Sequence, residues 1–109
     1  MKNKERQADV EVYFEFNGSR KSFMKSGLYR PGHLVTENYI TTGVHYYYDS
    51  EIIEPNGKAK GAITFITPEF YPHCLWEGKN ILIIEGVRVV GVATILEVFN
   101  PILKKEDII

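Results

Sequence analysis

The sequence predicts a small all-β domain, a closed antiparallel β-barrel of about six strands, on three observations. Residues 80–98 (NILIIEGVRVVGVATILEV) read as two apolar, β-branched runs that reverse at a glycine, the mark of paired strands packed on a core. Residues 9–16 alternate, with Val10, Val12, Phe14 and Phe16 on one face and Glu11, Tyr13 and Glu15 on the other. No stretch of useful length has a helical period, while seven Tyr, six Phe and one Trp supply strand-favouring aromatics. An open sheet of such strands would leave two unpaired edges, and closing it into a barrel removes them.

Each element follows in order. Residues 1–8 form a polar lead-in, expected to fray, and residues 9–109 form a single barrel domain. The strand over 9–16 ends at Asn17-Gly18, a turn-forming pair. Residues 19–32 are rich in Ser, Gly, Lys and Arg and read as a long loop, with Phe23 and Met24 folded beneath it as a plug. Residues 33–41 read as a strand that bends or bulges at Thr36-Glu37-Asn38, and Gly43 punctuates it. Residues 44–48 form the next strand, with Val44, Tyr46 and Tyr48 opposite His45 and Tyr47. Pro55-Asn56-Gly57 marks a sharp turn, and residues 60–67 a further strand. Two prolines exclude a regular strand from residues 68–78 (PEFYPHCLWEG). The two runs within residues 80–98 turn at Glu85-Gly86-Val87-Arg88, where Gly86 supplies the backbone freedom. Asn100-Pro101 closes the last strand, and residues 102–109 are a tail whose apolar ends can dock.

Composition narrows the function. A hydrophobic fraction of 44% with 25% charged residues is ordinary for a soluble domain. A net charge of −1 argues against broad neutralisation of phosphates, and no DNA partner is expected. Cys74 stands alone, so an internal disulfide is excluded. The start, MKNKERQ, lacks the apolar segment of a signal peptide, and no run approaches the roughly 20 apolar residues that span a bilayer. No membrane association and a cytoplasmic location are expected.

The search for chemistry is largely negative. Gly78-Lys79 is followed by Asn80 rather than Ser or Thr and lacks the preceding glycine frame of a phosphate loop. His33, His45 and His73 are scattered, and His73-Cys74 without a second ligand pair does not make a zinc site. Adjacent residues in an extended loop point apart, which disfavours a Cys–His nucleophile. No catalytic residue, metal or cofactor is expected. Two groups stand above this background. In the loop over 68–78, Phe70, Tyr71 and Trp76 are candidate contact residues; the competing reading makes Phe70, Leu75 and Trp76 a lid over one barrel end. Tyr29, Arg30, Glu85, Gly86 and Arg88 are the second group, either a site for an anionic partner or an internal Arg–Glu pair that fastens a loop.

The run Glu85-Gly86-Val87-Arg88-Val89-Val90-Gly91 with Val92-Ala93-Thr94 resembles the Glu-Gly-Gly-Arg-Thr-Val-Gly-Ala-Gly signature of the third domain of elongation factor Tu. Ala62-Ile63-Thr64-Phe65-Ile66 with Pro68 resembles that domain's strand and following proline. Pro55-Asn56-Gly57 stands where the family has Pro-Gly-Asp. Arg20, Phe23, Lys25, Gly27 and Tyr29-Arg30-Pro31 resemble its Arg…Phe-Phe-Lys-Gly-Tyr-Arg-Pro loop, in the same order. The resemblance implies a closed six-stranded antiparallel barrel, which in the full factor packs on a GTPase domain and touches the T-stem of aminoacyl-tRNA. Two positions implied to meet RNA differ, with Thr67 replacing a basic residue and Val87 the second glycine. The expected function is a non-catalytic protein-interaction module with an unidentified protein partner, contacting it through residues 68–78 together with the Glu85 to Arg88 turn. The alternative is a tRNA- or RNA-binding protein related to translation.

Overall fold

The computed structural model describes residues 7–106. In chain order the strands are β1 (Val10–Phe16), β2 (Met24–Lys25), β3 (Gly32–Thr36), β4 (Tyr39–Tyr47), β5 (Ile52–Ile53), β6 (Lys58–Phe65), β7 (Asn80–Glu85) and β8 (Arg88–Val98), with one 3-10 turn at Pro68–Phe70. Six of them close a barrel in the order β1-β6-β4-β3-β7-β8, and β8 pairs back onto β1. Every neighbouring pair is antiparallel. No helix among the described residues is long and apolar enough to cross a membrane.

The alternation in β1 is realised directly. Val10, Val12, Phe14 and Phe16 point into the barrel, and Tyr13 and Glu15 face outward. Ile63 and Phe65 of β6, Ile81 and Ile83 of β7 and Ala93 and Ile95 of β8 complete the packed interior. Burying one such aliphatic or aromatic side chain contributes about 1.5–3 kcal/mol, so this layer is the main source of stability. The Gly86-Val87 turn is the tight reversal expected. Glu85 pairs with Arg88, and Gly86 has a φ of 63° while Val87 stays outside the left-handed region, the φ pattern of a type II′ hairpin.

Residues 33–41 do not form one bent strand. Thr36 pairs with Tyr39, so Glu37-Asn38 is a two-residue hairpin turn between β3 and β4. The Asn38 N–H donates to Thr36 Oγ1 and caps this turn, while the expected irregularity falls just before it, as a register shift between Leu34 and Thr36. Strand β4 then runs unbroken through Gly43.

Since successive barrel strands alternate in direction, their connections collect at two ends. Residues 17–31, residues 48–57 and the Gly86-Val87 turn share one end. The 37–38 turn, residues 66–79 and the chain after Val98 share the other. The first end is plugged by the small β2–β5 ribbon, which buries Met24 and Ile53. Met24 therefore acts as the expected plug, whereas Phe23 is turned out to solvent. The second end is plugged by Tyr71, Leu75 and Leu103, held by a parallel bridge between Leu75 and Lys104. The docking of the tail is realised by Leu103; Ile108 and Ile109, like the lead-in up to Arg6, lie outside the described residues.

Candidate functional site

Three places hold chemistry: the barrel interior and its two ends. Inside, His33 Nε2 and His45 Nε2 are 2.8 Å apart, and neither histidine has any exposed surface. His33 Nδ1 lies 3.2 Å from the Thr41 carbonyl, and His45 Nδ1 3.0 Å from the Tyr47 hydroxyl. A carbonyl oxygen only accepts, so His33 carries its proton on Nδ1 and presents a bare Nε2. His45 must then donate from Nε2 to His33, and its bare Nδ1 accepts from the Tyr47 hydroxyl. One order of protons satisfies the whole chain. Burial holds the His33 imidazole down at about 4, partly offset by the Thr41 carbonyl, and drives the His45 imidazole well below its ordinary value. Both rings are neutral and closed off from solvent, which makes the pair a structural element.

Sequence reading treated these histidines as scattered. They meet because the β3–β4 hairpin sets His33 opposite Thr41, while Thr41, Gly43 and His45 share the inner face of β4. Gly43 leaves the gap across which the His33 ring leans: a Cβ there would sit 3.1 Å from His33 Cε1 and 2.7 Å from Ile63 Cγ2. Recognising the hairpin turn at 37–38 would have put both rings in one layer.

At the 17–31 end, Glu85 is the organising residue. Its Oε2 accepts from Arg20 at 2.6 Å and from the Tyr29 hydroxyl at 2.5 Å. Arg20 also donates to the carbonyls of Ser22 and Phe23, and its guanidinium covers the Tyr29 ring 4.7 Å from the centroid. Burial, then the bond to Glu85, pushes the Tyr29 phenol far above its ordinary range, so it remains a donor. Arg88 donates to the Ser19 carbonyl at 3.0 Å. The loop-fastening Arg–Glu pair thus exists, formed by Arg20 rather than by Arg30 or Arg88. Arg30 is exposed and makes no ion pair among the described residues. Phe23 and Leu28, 53% and 67% exposed, stand beside it and line the same groove.

At the other end, only part of the expected contact set is available. Tyr71 is buried and donates to Thr41 Oγ1 at 2.9 Å, so it is a packing residue, not a contact residue. The lid consists of Tyr71, Leu75 and Leu103; Leu75 was expected there, whereas Phe70 and Trp76, also expected within it, are exposed. The Trp76 ring is covered by two ammonium groups, Lys79 at 4.5 Å and Lys105 at 4.9 Å from its centroid. Lys79 further ties the loop by donating to the carbonyls of Val35 and Cys74. Burial raises the Cys74 pKa and keeps it a thiol, the unreactive form. His73 lies in the left-handed region with a φ of 61°, and its Nδ1–H donates to the Lys104 carbonyl at 2.9 Å. Among the described residues no three His, Cys, Asp or Glu side chains group as metal ligands.

The expected single contact surface therefore divides. Tyr29, Arg30, Glu85, Gly86 and Arg88 are at one end of the barrel, and Phe70, Tyr71 and Trp76 at the other. Strand β7 separates them, roughly 16 Å of extended chain. No protein-family model matches the sequence, and no curated protein matches it.

Proposed function

We propose that the chain is a non-catalytic protein-interaction module of the elongation factor Tu third-domain type, and that it engages its partner through the 17–31 end. The observation that carries this reading is the pairing there of exposed Phe23 and Leu28 with exposed Lys25 and Arg30, above a floor tied down by Glu85. Apolar side chains held in water on a rigid support favour association, because covering them removes apolar area at little ordering cost. The titratable groups of the interior add no competing chemistry, being sealed and mutually satisfied. The order of sequence motifs from Arg20 to Gly91 supports the domain type.

A second reading, RNA binding, is favoured by one observation: residues 19–32 carry Arg20, Lys21, Lys25 and Arg30 and no acid. Affinity capture of the tagged protein from its host's lysate, with and without ribonuclease, separates the two. The module reading expects protein partners that survive ribonuclease. Partners lost on ribonuclease treatment, with tRNA in the untreated sample, replace it with the RNA reading.

A further inference from the structure

The groove at the 17–31 end has a volume of about 400 Å³ and is walled by Phe23, Lys25, Leu28 and Arg30, with Arg20 and Tyr29 beneath. We propose that it binds a short acidic peptide segment carrying one large apolar side chain. The inference rests on the interaction-module reading above and names the chemistry of the partner. Charge is the first reason. Three cations and no acid line the groove. Arg20 is balanced by Glu85 at 2.6 Å, which leaves Lys25 and Arg30 as two cations without an ion-pair partner among the described residues. Glu51 lines not this groove but a neighbouring depression that shares Lys25 and Leu28 with it, and it makes no ion pair with Lys25.

Shape and rigidity are the second reason. Phe23 and Leu28 line the same open groove and are both more than half exposed, so one apolar side chain laid along it covers both. The planar Arg30 guanidinium suits a carboxylate in a bidentate pair, and the Lys25 ammonium takes a second as a point charge. The floor cannot give way easily, because Arg20 and Tyr29 are both bonded to Glu85. A single-stranded nucleic acid fits less well. Successive bases need successive free rings, and of the two rings that line the groove, Phe23 and Tyr29, the second is covered by Arg20.

The test is a nuclear magnetic resonance titration of the full chain with acetyl-Asp-Glu-Phe-Glu-Asp-amide. Three control probes are the same peptide with Lys at every acid, the same peptide with Ala for Phe, and a uridine hexanucleotide. The expected result is saturable movement of the Phe23, Lys25, Leu28 and Arg30 amide resonances with the acidic peptide alone. Arg30→Glu is expected to weaken that binding at least about tenfold, and Leu28→Ser provides a charge-neutral second variant; both positions are exposed, so the thermal midpoint should hold. Groove resonances that stay still at millimolar peptide, or that respond equally to the Lys peptide, overturn the proposal. Movement of the same resonances by the hexanucleotide at lower concentration overturns it in favour of RNA. A ribonuclease-resistant protein partner whose capture survives both variants preserves the module reading and removes the groove. Groove binding of the peptide without any captured protein does the reverse.

Discussion

The proton on His33 can sit on only one nitrogen, and this choice determines the rest of a buried chain. The Thr41 carbonyl takes the Nδ1 proton, His45 supplies its Nε2 proton, and Tyr47 completes the line. Protonating either ring would bury a charge away from water, so the folded state resists protons that the unfolded chain accepts. The His33 pKa is lowered from 6.5 to about 4. Its stabilising contribution is therefore fully present above about pH 6.5 and is lost as pH falls towards 4, up to roughly 3 kcal/mol. Urea unfolding between pH 7 and pH 4.5 should show this decline, with a shallower slope for His33→Gln. Long-range nitrogen spectra at pH 7 should show His33 protonated at Nδ1 and His45 at Nε2. A wild-type stability that is flat over that range would mean the rings are not buried as a pair. Gly86 is the second residue with a sharp consequence. With φ at 63° and nothing within 4 Å of a would-be Cβ, the cost of Gly86→Val is backbone strain alone, roughly 1–3 kcal/mol. An unchanged thermal midpoint in that variant would show that the turn tolerates a branched residue.

At the scale of elements, Glu85 joins a strand end to a loop distant in sequence. Its carboxylate holds Arg20 and Tyr29, while Arg88 across the turn holds Ser19. Removing that one acceptor leaves a buried phenol and a guanidinium without their partner. Glu85→Ala should destabilise by about 1–3 kcal/mol, and hydrogen exchange should accelerate first in residues 19–31 rather than in β7. Uniform acceleration, or none, would indicate that the loop is held by β2 pairing instead. The elements differ in how far sequence reveals them. The strands over 9–16 and 80–98 were readable because alternation and a glycine-centred reversal are local patterns. The hairpin at 37–38 was not, because its turn carries neither Gly nor Pro and its polar trio equally fits a bulge. The two-residue ribbon of β2 and β5 was invisible for a different reason: strands that short have no period. The role of Arg20 shared this fate, since pairing with Glu85 spans 65 positions.

At the scale of the molecule, barrel closure determines which surfaces can act together. Six antiparallel strands send alternate connections to opposite ends, so residues 68–78 and the Gly86 turn, close in sequence, are separated by the length of β7. The sequence identified five residues of the candidate end, Tyr29, Arg30, Glu85, Gly86 and Arg88, but joined them to a loop that topology places elsewhere. It also passed over Leu28, because an exposed leucine in a turn has no signature until its neighbours are known, and it noted Lys25 only as part of the family resemblance. The two ends differ in what they offer a partner. The 66–79 end exposes Phe70 and Ile66 but has committed its tryptophan to Lys79 and Lys105, whereas the 17–31 end exposes Phe23 and Leu28 beside two cations, Lys25 and Arg30, that make no ion pair among the described residues.

The claim that this molecule binds a protein through its 17–31 end is tested most directly by site-specific photocrosslinking in its host. A photoreactive side chain is placed at Leu28 in one variant and at Phe70 in another, both exposed positions. A ribonuclease-resistant protein adduct from position 28, absent or much weaker from position 70, is the predicted result. Protein adducts from position 70 alone would contradict the account and move the contact surface to the opposite end of the barrel.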